Sequence, residues 1–557
     1  MKSRMRHILF TLSCLLALTW GASAPTHAQV YTIKDLGALP GETSAIAYNI
    51  NDAGQVVGQS GLYGFLWSNG TMTELILPGG ALSIAQGISP GGAVVGSSHA
   101  LNEHTHAFLY SGGTMYDLQG LLLGGVQNSS YANDINAWGQ IVGGAFTPSD
   151  QFRAFLRDPL SGHTYDLGTL GGLGSEASAI NYRTEVVGYS NLPGGQSHAF
   201  YWDVYRGMVD LGALGGYYAR SGAYDINDSS QIVGWSETST GAQHAFVKYP
   251  SSVMTDLGTL GGITSAAFGI NNAGQIVGQA ALANGVTHAF LYIPNPYLAP
   301  IGGGVYAPAF VAPDLVFGSY GMRDLNTLLP ANSGWTLTSA QAINNKGQIV
   351  GYGIHNGTER AFLMTPLSVR SLTLSPSTLA GGNLSIGTVT LNDVTPVDIT
   401  VLLSNTNPAV TAPTSVVVPA GASSAAFVLT TTPVTAATTG TITATYNGSQ
   451  SAAITVRPPM LRTLALSSYS VPGGTPVKGG VSLDGPAPVS MTVALASSKP
   501  TVAYPTVSKV VIAAGSKSAT FTVNTNAVLT NTGITLSATL NGVTKTATLW
   551  VTRPLLR

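Results

Sequence analysis

One phrase recurs through the larger, N-terminal part of the chain and constrains its fold more than any other feature. It reads Ile-Asn-x-x-Gly-Gln-Ile/Val-Val-Gly and stands at Ile50 to Gly58, Ile135 to Gly143, Ile270 to Gly278 and Ile343 to Gly351. Weaker copies run from Ile88 to Gly96, Ile180 to Gly188 and Ile226 to Gly234. The Asn falls at 51, 136, 181, 227, 271 and 344, with Ser89 in the second copy; most steps are 38 to 47 residues and the last is 73. Self-similarity at such a period means that one supersecondary unit is stacked on copies of itself, because no single unit can bury its own apolar face.

Two further phrases keep step with the first. His/Arg-Ala-Phe stands at His106, Arg153, His198, His244, His288 and Arg360, with Tyr63-Gly64-Phe65 in the first copy. Asp-Leu is best seen in Asp166-Leu167-Gly168-Thr169-Leu170-Gly171-Gly172 and recurs from Asp35, Asp117, Asp210, Asp256 and Asp324, with Glu74-Leu75 in one copy. The pattern predicts four short strands per unit: the first, which opens the unit, ending in Asp-Leu-Gly, the second entering Ile-Asn, then Gln-Ile-Val-Gly, then His-Ala-Phe-Leu-Tyr. Asn-x-x-Gly makes the tight turn, since both residues tolerate positive φ. The last strand is apolar on both faces, as a sheet covered on both sides requires. Seven such units fit an all-β, seven-bladed β-propeller-like repeat domain, with a β-solenoid as the rival.

The three phrases in fixed order resemble the bacterial extracellular HAF repeat family over roughly residues 30 to 366. The second and fourth turns depart from the pattern, as Ser89-Pro90-Gly91-Gly92 and Asn181-Tyr182-Arg183-Thr184. The resemblance implies an exported, propeller-like repeat protein and transfers no activity.

After Pro366 the composition shifts to Ser, Thr, Val and Ala. Residues 368–457 and 460–553 repeat each other, with Val416 to Gly421 matching Val510 to Gly515 at an offset of 94. Alternation such as Ala425-x-Phe427-x-Leu429 marks half-buried strands. About seven short strands in each copy imply two Ig-like β-sandwiches, joined through Arg457-Pro458-Pro459 as a short, stiff linker. They carry no cysteine pair, so inter-sheet packing has to hold them.

At the N-terminus, Lys2, Arg4 and Arg6 precede the apolar run Ile8 to Leu18, and small residues follow; residues 1–28 read as a signal peptide cleaved after Ala28, or after Ala24. The expected location is extracellular, at the cell surface or in the periplasm, with no transmembrane segment once the signal is removed. The single Cys14 lies inside that signal, so disulfides and thiolate metal sites are not expected. Charged residues make up only 8% of the chain, and the signal carries away three positive charges to leave about −4. That balance argues against nucleic acid as a partner.

Recurrent residues invite a catalytic reading. His198 and Asp210, and His244 and Asp256, are 12 residues apart across a turn, and a ring of acid–base or metal sites is one reading of them. The other assigns Asp166, Asp210, Asp256, His198, His244 and His288, with Asn136, Asn227 and Asn271, to the structure of the repeat. The second is preferred, because active sites usually break symmetry. Asp134 to Ile141 faintly matches a calcium loop but places Trp138 and Ala145 where that loop needs acids. Glu103-His104-Thr105-His106 is the densest group of metal-binding side chains and lacks the His-Glu-x-x-His spacing. No catalytic residue, metal site or cofactor is therefore expected. The insertion near 293–320 is the main asymmetric feature, and Tyr297, Tyr306, Phe310, Phe317 and Tyr320 are its candidate ligand-binding residues, with a lid packed on its own unit as the other reading.

The leading expectation is a non-catalytic binding or adhesion scaffold whose partner is a glycan or a surface protein. A secreted carbohydrate-active enzyme with a propeller catalytic domain is the second, and a structural envelope component the third.

Overall fold

The computed structural model describes residues 30–100, 104–123, 129–294, 320–330 and 332–554, and these are all-β apart from 3₁₀ turns at Gln119–Leu121 and Leu325–Leu328. Among the described residues, those before Leu367 form seven four-stranded antiparallel sheets. The first six take their strands in chain order. The fifth, for example, runs Ser221–Ile226, Ile232–Glu237, Gln243–Lys248 and Met254–Asp256. The seventh differs: to Trp335–Ile343, Ile349–His355 and Thr358–Pro366 it adds Tyr31–Asp35, the first described strand, with Tyr31 opposite Pro366 and Asp35 opposite Phe362.

Asp-Leu-Gly was expected to open each unit, and the structure corrects this. Asp256 lies opposite Phe246, Asp210 opposite Phe200 and Asp166 opposite Phe155, so the Asp strand closes the sheet begun before it. The turn between Gln243–Lys248 and Met254–Asp256 is short enough to return as an antiparallel hairpin. The Gly-Gly stretch that follows instead carries the chain to the next sheet.

The apolar cores lie between successive sheets. One joins Ala179, Val187 and Ala199 of the fourth sheet to Ala223, Ile226, Ile232 and Phe246 of the fifth, and another joins Ala47, Val56 and Phe65 of the first to Val350 and Ala361 of the seventh. The Phe of every His/Arg-Ala-Phe copy, and Phe65, is fully buried. Truncating one to Ala would cost about 3–5 kcal/mol. The repeated Val-Gly has a steric cause: a Cβ on Gly234 would lie 2.1 Å from the Gly222 carbonyl oxygen.

Polar stitches complete the stack. Ala245 N–H donates to Ser265 Oγ at 2.8 Å, and that hydroxyl donates to the Gly258 carbonyl at 2.6 Å. The same serine stitch recurs at Ser175 and Ser221.

Beyond Leu367 two sandwiches follow, each a four-stranded sheet packed on a five-stranded one, with the same strand order in both. Their cores are apolar, with Val389, Val401, Phe427 and Ile454 in the first and Val481, Val493, Phe521 and Leu549 in the second. The first sandwich sits directly on the seven-sheet unit. Leu367 N–H donates to Val30 O at 2.9 Å, and Asn447 Nδ2 donates to Leu367 O at 2.8 Å. The two sandwiches meet through Asp484, which accepts from Arg457 Nη2 at 2.6 Å and from Met460 N–H at 2.7 Å. Among the described residues no helix is long and apolar enough to cross a membrane.

Candidate functional site

The innermost strand of each sheet begins the site. In all seven, two buried residues that the strand alternation should place on opposite faces stand three apart: Ala47 and Ile50, Ala85 and Ile88, Ala132 and Ile135, Ala177 and Ile180, Ala223 and Ile226, Ala267 and Ile270, Ala340 and Ile343. A β-bulge reconciles the spacing. Between these two residues the register slips in every strand and leaves one residue without a partner on the neighbouring strand: Tyr48, Gln86, Asn133, Ser178, Tyr224, Phe268 and Gln341. A bulge re-aims the extra side chain, and all seven line one cavity of about 650 Å³, within the usual range for ligand pockets.

The cavity is built on a symmetric frame. Asn344 Nδ2 donates to Asn51 O at 3.0 Å, Asn51 to Ser89 O at 3.1 Å, Asn136 to Asn181 O at 3.1 Å, Asn181 to Asn227 O at 3.1 Å, Asn227 to Asn271 O at 2.9 Å, and Asn271 to Asn344 O at 3.1 Å. These bonds join six of the seven seams among the described residues. In the second unit Ser89 replaces Asn, and its hydroxyl accepts from Ala93 N–H instead. Each Asn also caps its own turn; Asn227 Oδ1 accepts from Ser229 N–H and Gln231 N–H, both at 3.0 Å.

The next residue of each turn forms a rim. Asn345 N–H donates to Asp52 Oδ1 at 2.8 Å, Asn272 N–H to Asn345 Oδ1 at 2.9 Å and Asp228 N–H to Asn272 Oδ1 at 3.0 Å.

Deeper in the wall, Asp134 and Asp225 each span a seam. Asp134 accepts from Ile135 N–H at 2.8 Å and from Ile180 N–H of the next sheet at 3.0 Å; Asp225 accepts from Ile226 N–H at 2.7 Å and Ile270 N–H at 2.8 Å. Burial raises Asp134 to about 6, against the pull of its two backbone bonds. Burial raises Asp225 to about 7; the bond from Ile270 opposes this and the charge of Asp134 adds to it. Glu176 accepts from Asn133 Nδ2 at 2.9 Å and from the Tyr189 hydroxyl. Burial, and then the neighbouring Glu176 charge, push the Tyr189 phenol well above its ordinary range. Tyr224 packs at 5.3 Å, ring centroid to centroid, from Phe268. Among the described residues no Lys, Arg or His lines the cavity.

The recurrent His and Asp residues lie elsewhere, on the outer pair of strands. His198 Nδ1 is 2.8 Å from Asp210, His244 Nδ1 2.8 Å from Asp256, His288 Nδ1 2.7 Å from Asp324 and His106 Nδ1 2.7 Å from Asp117. His198 Nε2 also faces the carbonyls of Tyr217 and Ala219 at 3.2 and 3.1 Å. In the third unit Arg153 takes the His position, and its guanidinium reaches Leu173 O, while Asp166 caps Gly168 N–H at 2.8 Å. No cluster of three or more His, Cys, Asp or Glu able to hold a metal ion occurs among the described residues.

Of the aromatic residues expected in the insertion, Tyr297, Tyr306, Phe310 and Phe317 lie outside the described residues, as do Glu103 and the N-terminal segment. Tyr320 is half-buried against the core that contains Tyr31, Leu325 and Phe362. Sequence reasoning missed the bulge residues and the pairing of Glu176 with Tyr189. The three-residue spacing of buried Ala and Ile in every copy is the signal that could have found the bulges.

No protein-family model matches the chain, and no curated protein matches it. Distant likenesses exist among solved structures. TolB from Acinetobacter baumannii aligns at 12% identity over 37% of this chain and 52% of its own, with a TM-score of 0.27. A triple arginine mutant of AofleA from Arthrobotrys oligospora aligns at 13% identity over 47% of this chain and 86% of its own, with a TM-score of 0.29. Domains 4 and 5 of the S-layer protein SbsC align at 20% identity over 34% of this chain and 98% of their own, with a TM-score of 0.17. This chain thus spans about half the length of the TolB structure.

Proposed function

We propose that this chain is an exported, HAF-type repeat protein that binds a ligand non-catalytically. In this reading the seven sheets are the blades of a β-propeller, its axial cavity is the binding site, and the two sandwiches are Ig-like modules that hold it away from a surface. One observation carries the binding reading. The frame repeats Ile, Asn, Ser, Gly and Phe from sheet to sheet, while the seven bulge residues that face the cavity differ in size and polarity. A scaffold residue serves every repeat alike; a recognition surface has to break the symmetry. Tyrosine faces beside Asn, Gln and carboxylate groups suit a polar small molecule, a glycan above all.

The convergence of Glu176 with Asp134 and Asp225 is what the second reading, a carbohydrate-active enzyme, would need. Asp134 and Asp225 each have both carboxylate oxygens engaged by backbone N–H groups. Those bonds occupy both acids as acceptors across the seams, which supports binding over catalysis. The test is a glycan-array screen of the full chain beside Tyr224→Ala. Saturable binding that the variant loses supports the reading. Release of reducing sugar from a bound glycan would establish the enzyme, and silence across the array would exclude glycan as the ligand.

A further inference from the structure

Three successive sheets contribute adjoining aromatic side chains to one arc of the cavity wall. Phe268 and Tyr224 are packed at 5.3 Å, and Tyr189 lies next along the wall, its hydroxyl on Glu176. The tyrosine rings are partly open: Tyr224 is 37% exposed and Tyr189 38%. Partly open aromatic faces in a cavity are surfaces awaiting a partner, and the ring quadrupole is attractive to cations.

The charges on the same wall have one sign. Glu176 is held by two neutral donors, Asn133 and Tyr189. Neutral donors orient the Glu176 carboxylate without cancelling its charge, and among the described residues the cavity lining offers no cationic side chain to do so. Low-dielectric walls concentrate the resulting field inside the cavity. An anionic ligand would be repelled there, and a neutral one would gain nothing from the field.

We infer that the cavity takes an organic cation, a primary ammonium group seated against the Tyr189–Tyr224–Phe268 wall with Glu176 as its counter-charge. This deepens the binding reading above and rests on it. Two kinds of molecule carry that chemistry, an amino sugar and an aliphatic diamine.

Isothermal titration of the full chain separates them, using glucosamine against glucose and 1,4-diaminobutane against 1,4-butanediol. At least one amine is expected to bind about tenfold or more tightly than its neutral partner, and the advantage should shrink as salt is raised. Which amine binds identifies the source. Glu176→Gln should remove most of the advantage, and Tyr224→Ala, a change at a partly exposed position, should weaken amine binding without lowering the melting temperature. Equal affinity for glucose and glucosamine, lost in Tyr224→Ala, would overturn the cation and leave the cavity as the site. Amine binding that survives Tyr224→Ala and Glu176→Gln would overturn both. Absence of amine binding at millimolar concentration would overturn the cation.

Discussion

Asp35 and His355 are 320 residues apart in the chain, and their side chains meet at 2.9 Å. Asp35 ends the first described strand and His355 ends the second strand of the last unit, where its ring stacks on Trp335 at 4.5 Å. Arg360 occupies the usual His position of that unit, with its Nε 3.7 Å from the same Asp35 carboxylate. The pair therefore marks the place where the start of the chain completes the last sheet. Asp35→Ala removes the partly exposed bonds to His355 and Gly37 N–H and the contact with Arg360, and should cost about 1–2 kcal/mol. Deleting residues 30–35 also exposes the edge of Thr358–Pro366 and removes the fully buried Tyr31, so calorimetry should show a much larger fall in melting temperature. Equal falls would mean that the strand does not close the unit.

The outer His–Asp pairs should differ in weight. His198 is fully buried and faces acceptors with both ring nitrogens, whereas the His244 side chain is 21% exposed and meets Asp256 alone. His198→Ala is expected to destabilise by about 2–3 kcal/mol and His244→Ala by about 1 kcal/mol. Unchanged melting of His244→Ala would remove the structural role from that pair.

The Asn bonds across the seams can be probed in both directions. Asn227→Asp keeps the acceptor that caps the turn but sets a carboxylate against the Asn271 carbonyl and Gln231 Oε1, which Asn227 Nδ2 now satisfies. A loss of about 2–4 kcal/mol is expected at neutral pH, partly recovered where the new carboxyl is protonated. Ser89→Asn should have the opposite sign, since it supplies the donor that the second unit lacks; a gain of about 0.5–2 kcal/mol is the usual scale for such a repair. Thermal melts of the two variants at neutral and acidic pH test both.

Asp134 and Asp225 should give the protein a distinctive pH dependence of stability. Both are raised, to about 6 and about 7, whereas an aspartate in an unfolded chain titrates near ~3.9. Between these values the folded chain holds protons that the unfolded chain has lost, so this contribution to stability falls as pH rises from about 4 to about 7 and is level above that. Comparing melting temperatures at about pH 5 and about pH 8, the wild type should lose more than the Asp134→Asn/Asp225→Asn double variant. The same loss in both would assign the pH dependence to other groups.

The frame of the repeat was legible because its signals are local. Asn-x-x-Gly announces a turn wherever it stands, and a recurrent His-Ala-Phe strand with apolar faces announces a covered sheet. The order of strands within a sheet was not, because Asp-Leu-Gly reads the same whether it opens one unit or closes another; only the pairing of Asp256 with Phe246 decides. The cavity was hidden for a different reason. Tyr224 sits within Ser221-Gly222-Ala223-Tyr224-Asp225-Ile226, a run that reads as ordinary strand, and a single extra residue changes which way it points. Nothing local marks Glu176, because its partners Asn133 and Tyr189 come from separate strands, Asn133 from a different sheet.

A bulged residue takes no part in the register of its strand, so exchanging its side chain leaves the neighbouring strand pairs as they were. Seven such positions encircle one cavity here, each on its own sheet and each separated from the next by a seam that other residues hold shut. If the cavity binds as proposed, its preference could drift one substitution at a time without passing through an unfolded intermediate sequence. On the binding reading proposed above, two chains sharing every repeat phrase of this one would hold different molecules, and the residues to compare between them are the counterparts of Tyr48, Gln86, Asn133, Ser178, Tyr224, Phe268 and Gln341.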